Sequence, residues 1–411
     1  MANTNNNKSL NVPILRFPEF TDEWKRSSLG EVTTFVKERI GADKLTRNNY
    51  VSTENMNPDF GGINQASSVP NNTNVIHYQK GDVLLSNIRP YLRKVWGASS
   101  DGGCSADVFV FRAKSISSSF LHYIMANDTF INYVMSGAKG VKMPRGDKEQ
   151  ILKYIFSTPN IEEQNKISHL LHLLDERIST QNKIIGDLKK LKSAIIDYIF
   201  NNEVLSFRKR IHLSDVATKI TQKNTNNHVS NVLSNSANQG IIPQSEVFDR
   251  EIANEDNTSN YFVISQNDFV YNPRKSATAP YGPINRYYGQ TDGVISPLYL
   301  CFRSHNIDVE YLGWYFKSDS WHKFVYQNGD TGVRHDRVSI KDEIFFSMPL
   351  FIHNADEQIE IAKRLNKIES FVKQEEQYLF LLESQKLYLS SRCLYEHLLE
   401  QILLLSTISV Q

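Results

Sequence analysis

The sequence predicts an α+β protein built from one unit that has been duplicated and has diverged. A helix-start motif at residues 160–164 returns at residues 354–358, and an apolar heptad pattern follows each copy. Ahead of each copy, the same order of strand, helix and glycine-rich loop motifs occurs. We therefore expect two globular domains with twisted β-sheets, separated by two long helices that pair as an antiparallel coiled coil with pseudo-two-fold symmetry.

The two helix starts carry the same local signal. Asn160 and Asn354 suit the N-cap position, because an asparagine side chain accepts a hydrogen bond from a free backbone N–H of the first turn. Glu163 and Glu357 stand three residues later, where a carboxylate can reach back to the cap. Each start is therefore predicted to be a capping box.

The heptad pattern defines a seam along each predicted helix. Polar residues fall at matching places in the two copies, Gln181 with Glu375 and Lys192 with Lys386, and polar seam residues fix the register of a coiled coil. The first seam comprises Ile167, Leu171, Leu174, Ile178, Gln181, Ile185, Leu188, Lys192, Ile195 and Ile199. The second seam comprises Ile361, Leu365, Ile368, Val372, Glu375, Leu379, Leu382, Lys386, Leu389 and Cys393.

The domain boundaries follow from the seams and the motif order. We expect a disordered polar tail at 1–12, a globular domain at 13–159, a helix at 160–203, a second globular domain at 204–353, a helix at 354–405 and a tail at 406–411. The first domain is predicted to contain strands at 81–86 and 107–112, a helix at 119–135 and a basic loop at 137–145. The second is predicted to repeat them at 267–271, 297–303, 309–325 and 329–337.

Bulk composition excludes several classes of protein. The net charge is +1, so a surface that binds anions must be a local patch. No apolar run of about 18 residues occurs, and the N-terminus lacks the apolar core of a signal peptide. Three widely spaced cysteines argue against a disulfide framework or a zinc site and suit the reducing cytoplasm, where we expect the protein.

Motifs for catalysis are missing from the sequence. There is no phosphate-binding loop and no glycine-rich fingerprint for a nucleotide or for S-adenosylmethionine. Pro58-Asp59 has no Asp/Glu-x-Lys partner in the next thirty or so residues, which argues against a metal-dependent nuclease site. Residues 272–274 share Asn-Pro with an adenine-methyltransferase motif but lack its second proline and aromatic residue. His169 and His172 are three apart without an evident third metal ligand. We predict no catalytic residues, no metal and no cofactor bound by this chain.

Basic residues among Asn, Ser and aromatic residues are the candidates for binding. Backbone N–H groups of glycine-rich loops with Lys and Arg nearby suit phosphates, and Asn and Arg can read base edges in the major groove. In the first domain the candidates are Ser86, Asn87, Arg89, Tyr91, Arg93, Lys94, Lys139, Lys142 and Arg145. In the second they are Asn272, Arg274, Lys275, Tyr281, Arg286, Arg334, His335 and Arg337.

Several motifs also carry a family resemblance. They are an aromatic-rich stretch leading to Leu-Gly-Glu at 16–31, Gly-Asp-Val-Leu-Leu at 81–85, and Glu-Gln helix starts that follow Pro159 and Pro349. In these motifs and their duplicated order the chain resembles the specificity subunit of type I restriction-modification enzymes. The resemblance implies two target-recognition domains, each reading one half of a bipartite asymmetric site on double-stranded DNA, and helices that set the spacer.

The same resemblance implies partners. Two methyltransferase subunits would dock on the helices, bind S-adenosylmethionine and methylate adenine. Translocating endonuclease subunits, with ATP and Mg, would join the complex. Two alternatives remain at this stage. A stand-alone DNA methyltransferase would bind the cofactor itself, and a coiled-coil scaffold that joins two proteins would show no sequence-selective DNA footprint.

Overall fold

The computed structural model describes residues 12–201, 208–246, 258–330 and 336–394. It divides into two compact units. The first comprises Met1–Asn182 with Tyr378–Gln411, and the second comprises Lys183–Gln377. Apart from residue 12, the tails predicted at 1–12 and 406–411 lie outside the described residues, as do residues 395–405 of the second predicted helix.

The described part of the first unit contains ten strands and four short helices before its first long helix. The strands are β1 (Lys25–Ser28), β2 (Thr33–Phe35), β3 (Arg39–Gly41), β4 (Tyr50–Val51), β5 (Asn74–Tyr78), β6 (Val83–Ser86), β7 (Val95–Gly97), β8 (Gly102–Cys104), β9 (Val108–Ala113) and β10 (Ile155–Thr158). The helices are α1 (Leu29–Val32), α2 (Ser118–Met125), α3 (Asp128–Ser136) and α4 (Lys148–Leu152), followed by α5 (Ile161–Asn201), which continues into the second unit.

The described part of the second unit repeats this succession. Its strands are β11 (Lys209–His212), β12 (Ala217–Lys219), β13 (Val232–Ser236), β14 (Gly240–Pro243), β15 (Phe262–Ile264), β16 (Phe269–Tyr271), β17 (Ile284–Arg286), β18 (Gly293–Ile295), β19 (Leu300–Ser304) and β20 (Pro349–Ile352). Its helices are α6 (Val309–Tyr315), α7 (His322–Asn328), α8 (Asp342–Phe346) and α9 (Ala355–Leu394), and α9 continues into the first unit. The α+β fold class predicted from the sequence is confirmed.

The single helices predicted at 119–135 and 309–325 are each two helices. In the first unit the break falls at Asn127, whose side chain accepts from the Thr129 N–H and caps α3. An asparagine inside an amphipathic pattern is a start signal of this kind, because its side chain competes for the backbone. In the second unit α6 ends before Phe316 and α7 begins at His322.

Each unit holds a four-stranded antiparallel sheet of the same topology. The strand order is β2-β9-β6-β7 in the first unit and β12-β19-β16-β17 in the second. A second, mixed sheet shares three strands, since β5-β8-β4 corresponds to β15-β18-β13 in both order and direction. The fourth strand differs: β3 pairs with β5, whereas β14 pairs with β13. Divergence is thus concentrated at the edges of the mixed sheet.

A buried aspartate joins two strands of the antiparallel sheet in each unit. Asp82 is 2% exposed and accepts two hydrogen bonds from Arg112, both at 2.9 Å. Asp268 is fully buried and accepts two from Arg303, at 2.7 and 2.8 Å. A bidentate arginine is a strong partner for a carboxylate. These ion pairs account for the aspartate that immediately precedes both β6 and β16.

The long helices pair in antiparallel fashion within the first unit. Lys386 on α9 lies 2.5 Å from Asp175 on α5, and Tyr378 accepts from Arg177 at 2.9 Å. Residue numbers rise along one helix as they fall along the other. The apolar residues Leu171 and Leu174 are among those buried at this pairing.

The second unit shows the same antiparallel pairing with other residues. Lys192 on α5 lies 2.6 Å from Glu369 on α9, and Lys189 lies 2.6 Å from Glu376. Leu365 of α9 is fully buried in the apolar core of this unit.

The two seam lysines therefore each meet a carboxylate. Asp175 and Glu369, their partners, are themselves 194 residues apart, as are Lys192 and Lys386. A charged seam residue has to reach a counter-charge or face water, so each pair selects one register. The duplication extends to these ion pairs.

The helix starts agree with the predicted capping boxes in part. Asn160 accepts from the Glu163 N–H, and Asn354 from the Glu357 N–H, each at 2.9 Å. Glu357 reaches back to the Asn354 N–H at 3.2 Å. Glu163 does not: its carboxylate is buried and accepts from Arg16 at 2.7 and 2.8 Å. The predicted box at the first helix is wrong in this half, because the charged guanidinium is the stronger partner for a buried carboxylate.

The glutamine of each Glu-Gln pair links a long helix to the globular part of its unit. Gln164 accepts from the Ser117 N–H at 2.8 Å, and Gln358 accepts from the Asp308 N–H at 3.0 Å. Each glutamine also donates at 2.8 Å to the carbonyl of the residue before its cap asparagine. One buried amide thus fixes the start of α2 or α6 against the start of a long helix.

In the part of the chain that the structure describes, no helix combines the length and the apolar character needed to cross a membrane.

The two helix starts provide a matched stability test. Replacing Glu163 with Ala removes both acceptors of the half-buried Arg16 guanidinium, and we expect a loss of about 2–3 kcal/mol in the free energy of unfolding. The control is Glu357→Ala, whose exposed carboxylate only caps its helix, with an expected loss of about 1 kcal/mol or less. Urea unfolding measures both. Equal losses in the two variants would contradict the buried pairing.

Candidate DNA interface

Two stretches that the sequence predicts separately lie side by side in the first unit. The turn after β6 (residues 86–89) meets the basic loop after α3 (residues 139–145), and three backbone contacts join them. They are the bridge between Ile88 and Arg145, the hydrogen bond from the Arg89 N–H to the Pro144 carbonyl (2.8 Å), and that from the Gly146 N–H to the Asn87 carbonyl (3.2 Å).

The second unit makes the same three contacts. The turn after β16 (residues 272–275) meets the described end of the loop after α7. The contacts are the bridge between Arg274 and Arg337, the hydrogen bond from the Lys275 N–H to the Asp336 carbonyl (2.8 Å), and that from the Val338 N–H to the Pro273 carbonyl (2.9 Å). We call the turn and the loop of each unit its paired loops.

Every contact in one unit has its counterpart in the other. The turns match at an offset of 186 residues and the loops at 192. Because the contacts are made by backbone atoms, the side chains are free to differ. Ile88 corresponds to Arg274, and Pro144 corresponds to Asp336. The paired loops are therefore one backbone frame with two sets of side chains.

Two candidate cations of the first unit are exposed without a counter-charge. Arg89 has a left-handed backbone (φ 49°) and Lys142 lies near the tip of its loop. Neither contacts a carboxylate in the part of the chain that the structure describes. Val141 next to Lys142 is fully exposed, so the loop projects from the surface, and Tyr91 nearby is 48% exposed. These residues are available to an anionic partner.

Other candidates of the first unit already have partners. Lys139 binds Asp147 at 2.7 Å, and this hydrogen bond raises the pKa of Lys139 and lowers that of Asp147. The remaining contacts are Arg145 with Asp107 (2.8 Å), Arg93 with Asp59 (2.5 Å) and Asp128 (3.1 Å), and the Lys94 Nζ with the Thr53 carbonyl (2.6 Å).

Exposed ion pairs of this kind are weak, typically about 0.2–1 kcal/mol. A DNA phosphate can therefore compete with the carboxylates for Arg145, whose side chain is 53% exposed, and for Lys139, whose side chain is 81% exposed.

Two candidates are not accessible. Ser86 is 1% exposed, and its hydroxyl donates to the Ile88 carbonyl at 3.0 Å, so it shapes the turn. Arg286 is 6% exposed and lies 2.5 Å from Glu310. The sequence contained a signal for the burial of Arg286. Ile284 stands two residues earlier on the same strand, and alternate strand residues share a face, so Arg286 lies on the apolar face. Both predictions of direct contact conflict with this burial.

Asn87 and Asn272 have less freedom than their sequence context suggests. The Asn87 side-chain oxygen is buried and has no hydrogen-bond partner among the described residues. Asn272 accepts from the Arg274 N–H at 3.0 Å and donates to the Asn235 carbonyl at 2.9 Å. Its side chain thus holds the turn of the second unit in shape.

The remaining candidates of the second unit differ in exposure and in the contacts that they make. Arg274 is exposed, Lys275 is half-buried, and Arg337 lies 4.0 Å from Asp336. Tyr281 packs against the ring of His322, with 4.9 Å between the ring centroids. Arg334 and His335 lie outside the described residues, so their predicted roles stay predictions.

The structure adds residues that the sequence reasoning missed. The hairpin of β13 and β14 stands beside the turn of the second unit, with Thr278 donating to Asn238 at 2.9 Å. A signal was present in the sequence, since Asn238 and Gln239 precede a glycine between two strand-forming stretches. Among the described residues, no group of three or more His, Cys, Asp or Glu is placed to hold a metal ion.

One family model matches part of this chain. Residues 21–190 match the family model described as the type I restriction modification DNA specificity domain. Over part of its length the chain is similar to type I specificity subunits. This confirms the resemblance predicted from the sequence. The match contains the paired loops of the first unit and the start of α5.

One curated relative is the type I restriction enzyme EcoDI specificity subunit of Escherichia coli. It is 28% identical over 131 residues, which are 31% of this chain and 29% of that specificity subunit. The alignment thus spans less than a third of either protein.

Two solved structures share the fold over most of the chain. One, from work on complex assembly and conformational transition of the type I R-M system, is 18% identical with a TM-score of 0.56 and covers 90% of this chain and 97% of its own. The other is the type I restriction-modification S subunit of M. genitalium, 12% identical with a TM-score of 0.56, covering 93% and 99%.

The two free cations of the first unit give a direct test of the interface. We expect Arg89→Ala and Lys142→Ala each to weaken DNA binding, because each removes an exposed positive charge. If the residue contacts a phosphate, affinity falls for all sequences and the salt slope decreases by about one. If it reads a base, discrimination falls by about 1–3 kcal/mol at one position.

The matched control is Lys114→Ala, an exposed lysine outside the paired loops. Binding isotherms at several salt concentrations distinguish the outcomes. Affinity that stays at the parent value in both loop variants would show that the paired loops are not at the interface.

Proposed function

We propose that this chain is the DNA specificity subunit of a type I restriction-modification complex. Each unit reads one half of a bipartite, asymmetric site on double-stranded DNA. The observation that carries this proposal is the pair of loops, present once in each unit on identical backbone contacts but with different side chains. A repeated frame with divergent side chains is suited to two related tasks with different targets.

The chemistry of the paired loops supports DNA as the partner. Exposed Arg89 and Lys142 in one unit, and Arg274 in the other, supply positive charge at projecting loops. Phosphate contacts of this type position a protein on the duplex, and base contacts then specify the sequence. The exposed, weakly paired cations Lys139 and Arg145 add further phosphate ligands on the same loop.

In each unit, a long helix carries exposed apolar side chains that support the proposed partners. On α5, Ile184, Leu191 and Tyr198 are 41%, 55% and 65% exposed and lie seven residues apart. On α9, Phe380 and Leu387 are each 66% exposed at the same spacing. Seven-residue spacing keeps apolar side chains on one helix face, outside the seam. We propose that two methyltransferase subunits dock there.

Chemistry in the complex belongs to its other subunits under this proposal. This chain is non-catalytic, the methyltransferase subunits bind S-adenosylmethionine and methylate adenine, and endonuclease subunits use ATP and Mg. The long helices set the spacing between the two half-sites. The contribution of this chain is the choice of DNA sequence.

Exchanging one domain tests whether the units read independently. Residues 204–353 are replaced by the corresponding segment of a relative, with the helices kept. We expect one half-site to change and the other to stay, because distant sites with no shared partners act additively. Mapping of methylated adenines in a host that carries the chain and its methyltransferase measures this. A change in both half-sites would contradict modular reading.

Lengthening both helices tests whether they set the spacer. Four residues are inserted after Ser179 and four after Lys373, which adds about 6 Å of helix to each. Since base pairs rise by about 3.4 Å, we expect both half-sites to persist with a spacer one or two base pairs longer. The same methylation mapping decides. An active enzyme with an unchanged spacer would exclude the helices as the determinant of spacing.

A further inference from the structure

The tip of the β13–β14 hairpin is a rigid, exposed pair of amides. Ser236 pairs with Gly240 across the hairpin, and Gly240 has the positive φ (78°) that closes the turn. The Ser236 hydroxyl accepts from the N–H groups of both Asn238 and Gln239 at 3.4 Å. Asn238 and Gln239 are exposed. The backbone of the tip is thus held in place while its side chains face outward.

Side-chain hydrogen bonds tie this tip to the paired loops of the second unit. Thr278 donates to the Asn238 side-chain oxygen at 2.9 Å, and Asn272 donates to the Asn235 carbonyl at 2.9 Å. Asn285 donates to the Asn235 side-chain oxygen at 2.7 Å, and Asn235 is 2% exposed. Asn272 opens the turn of the paired loops and Thr278 follows that turn by three residues, so the hairpin is bound to the turn through β13 and to the segment after the turn at its tip.

Gln239 is the amide of this tip that is available to a ligand. Its side chain makes no hydrogen bond within the described residues, whereas the Asn238 oxygen is engaged by Thr278. A glutamine amide pairs with adenine through two hydrogen bonds, to N6 and N7, in the major groove. Arg274 and Lys275 on the neighbouring turn supply charge for the phosphates beside such a base.

The first unit has no free amide at the corresponding place. Strand β4 corresponds to β13, because β4 pairs in parallel with β8 and β13 pairs in parallel with β18. The segment after β4 also folds back on itself, through a β-bridge between Met56 and Ile63. Its tip carries Asp59, and Arg93 binds that carboxylate. The exposed amide is therefore a property of the second unit.

We propose that Gln239 is a specificity-determining residue of the second unit and reads an adenine in the half-site of that unit. Thr278 and Asn238 are positioning residues that hold the tip. This inference rests on the proposed function, because it requires that the second unit binds DNA sequence-selectively.

The first experiment maps methylated adenines in a host that carries the chain and its methyltransferase. With Gln239→Ala, the preference for adenine at one position of one half-site falls by about tenfold or more, and the other half-site is unchanged. The control is Gln222→Ala, an exposed glutamine whose carbonyl accepts from Val263 on β15, at the opposite edge of the same sheet. It keeps the parent motif.

The second experiment isolates the contact on the purified complex. At the adenine identified by mapping, 7-deazaadenine replaces the N7 acceptor by a C–H group. Parent binding weakens by about tenfold, and the Gln239→Ala variant binds both DNAs equally. Thr278→Val lowers the preference for adenine at this position, because valine lacks the hydroxyl that binds Asn238. Thr278→Ser, which keeps a hydroxyl, retains the preference. Unchanged melting temperatures establish that the variants fold.

Two failures are distinguishable. A parent chain that yields no two-part motif contradicts the proposed function. A parent chain with a two-part motif that Gln239→Ala leaves intact at every position overturns only the role of Gln239.

Discussion

Backbone hydrogen bonding between a strand-end turn and a distant loop is the constraint on which the candidate interface depends. A backbone N–H or carbonyl has to be paired when it is covered, and here each is paired by a backbone group: every residue supplies a carbonyl, and every residue except proline supplies an N–H. The contact from Arg89 to Pro144 and that from Lys275 to Asp336 have the same length, 2.8 Å, although the residues differ. Side chains at these positions can therefore change without loss of the frame.

The helices impose a second constraint, through charges placed in an apolar seam. Lys192 and Lys386 each find a carboxylate within 2.6 Å, and a shift of register would leave a partly buried ammonium unpaired. Breaking a buried pair costs more than the pair contributes, so its main effect is on specificity of pairing. Gln164 and Gln358 then fix the globular part of each unit to a helix start. The candidate interface of each unit is thus held by a framework with few alternative arrangements.

Burial and ion pairing divide the candidate cations into those that a phosphate can reach and those that it cannot. Exposed cations in weak ion pairs, such as Lys139 with the half-buried Asp147, can exchange their partners for phosphates at low cost. Arg286 cannot, because it is buried with Glu310 and packs against Tyr288 with 4.2 Å between the guanidinium and the ring centroid. An arginine count in the sequence treats these residues alike. Their burial separates them.

The sequence by itself determined the duplication, the helix starts and the seam lysines. These are local signals: a cap needs an asparagine and three more residues, and a heptad is visible along a single helix. Charged residues at projecting loops were likewise visible, as Arg89 and Lys142 show.

Tertiary structure alone decided which distant residues meet. Glu163 binds Arg16, 147 residues away, in place of its own cap, and residues 86–89 meet residues 139–145 across several intervening strands. It also decided that Arg286 is buried and that the β13–β14 hairpin lies beside the turn of Asn272. Such pairings depend on how strands pack and which face each residue takes, and no local pattern of the chain specifies that packing.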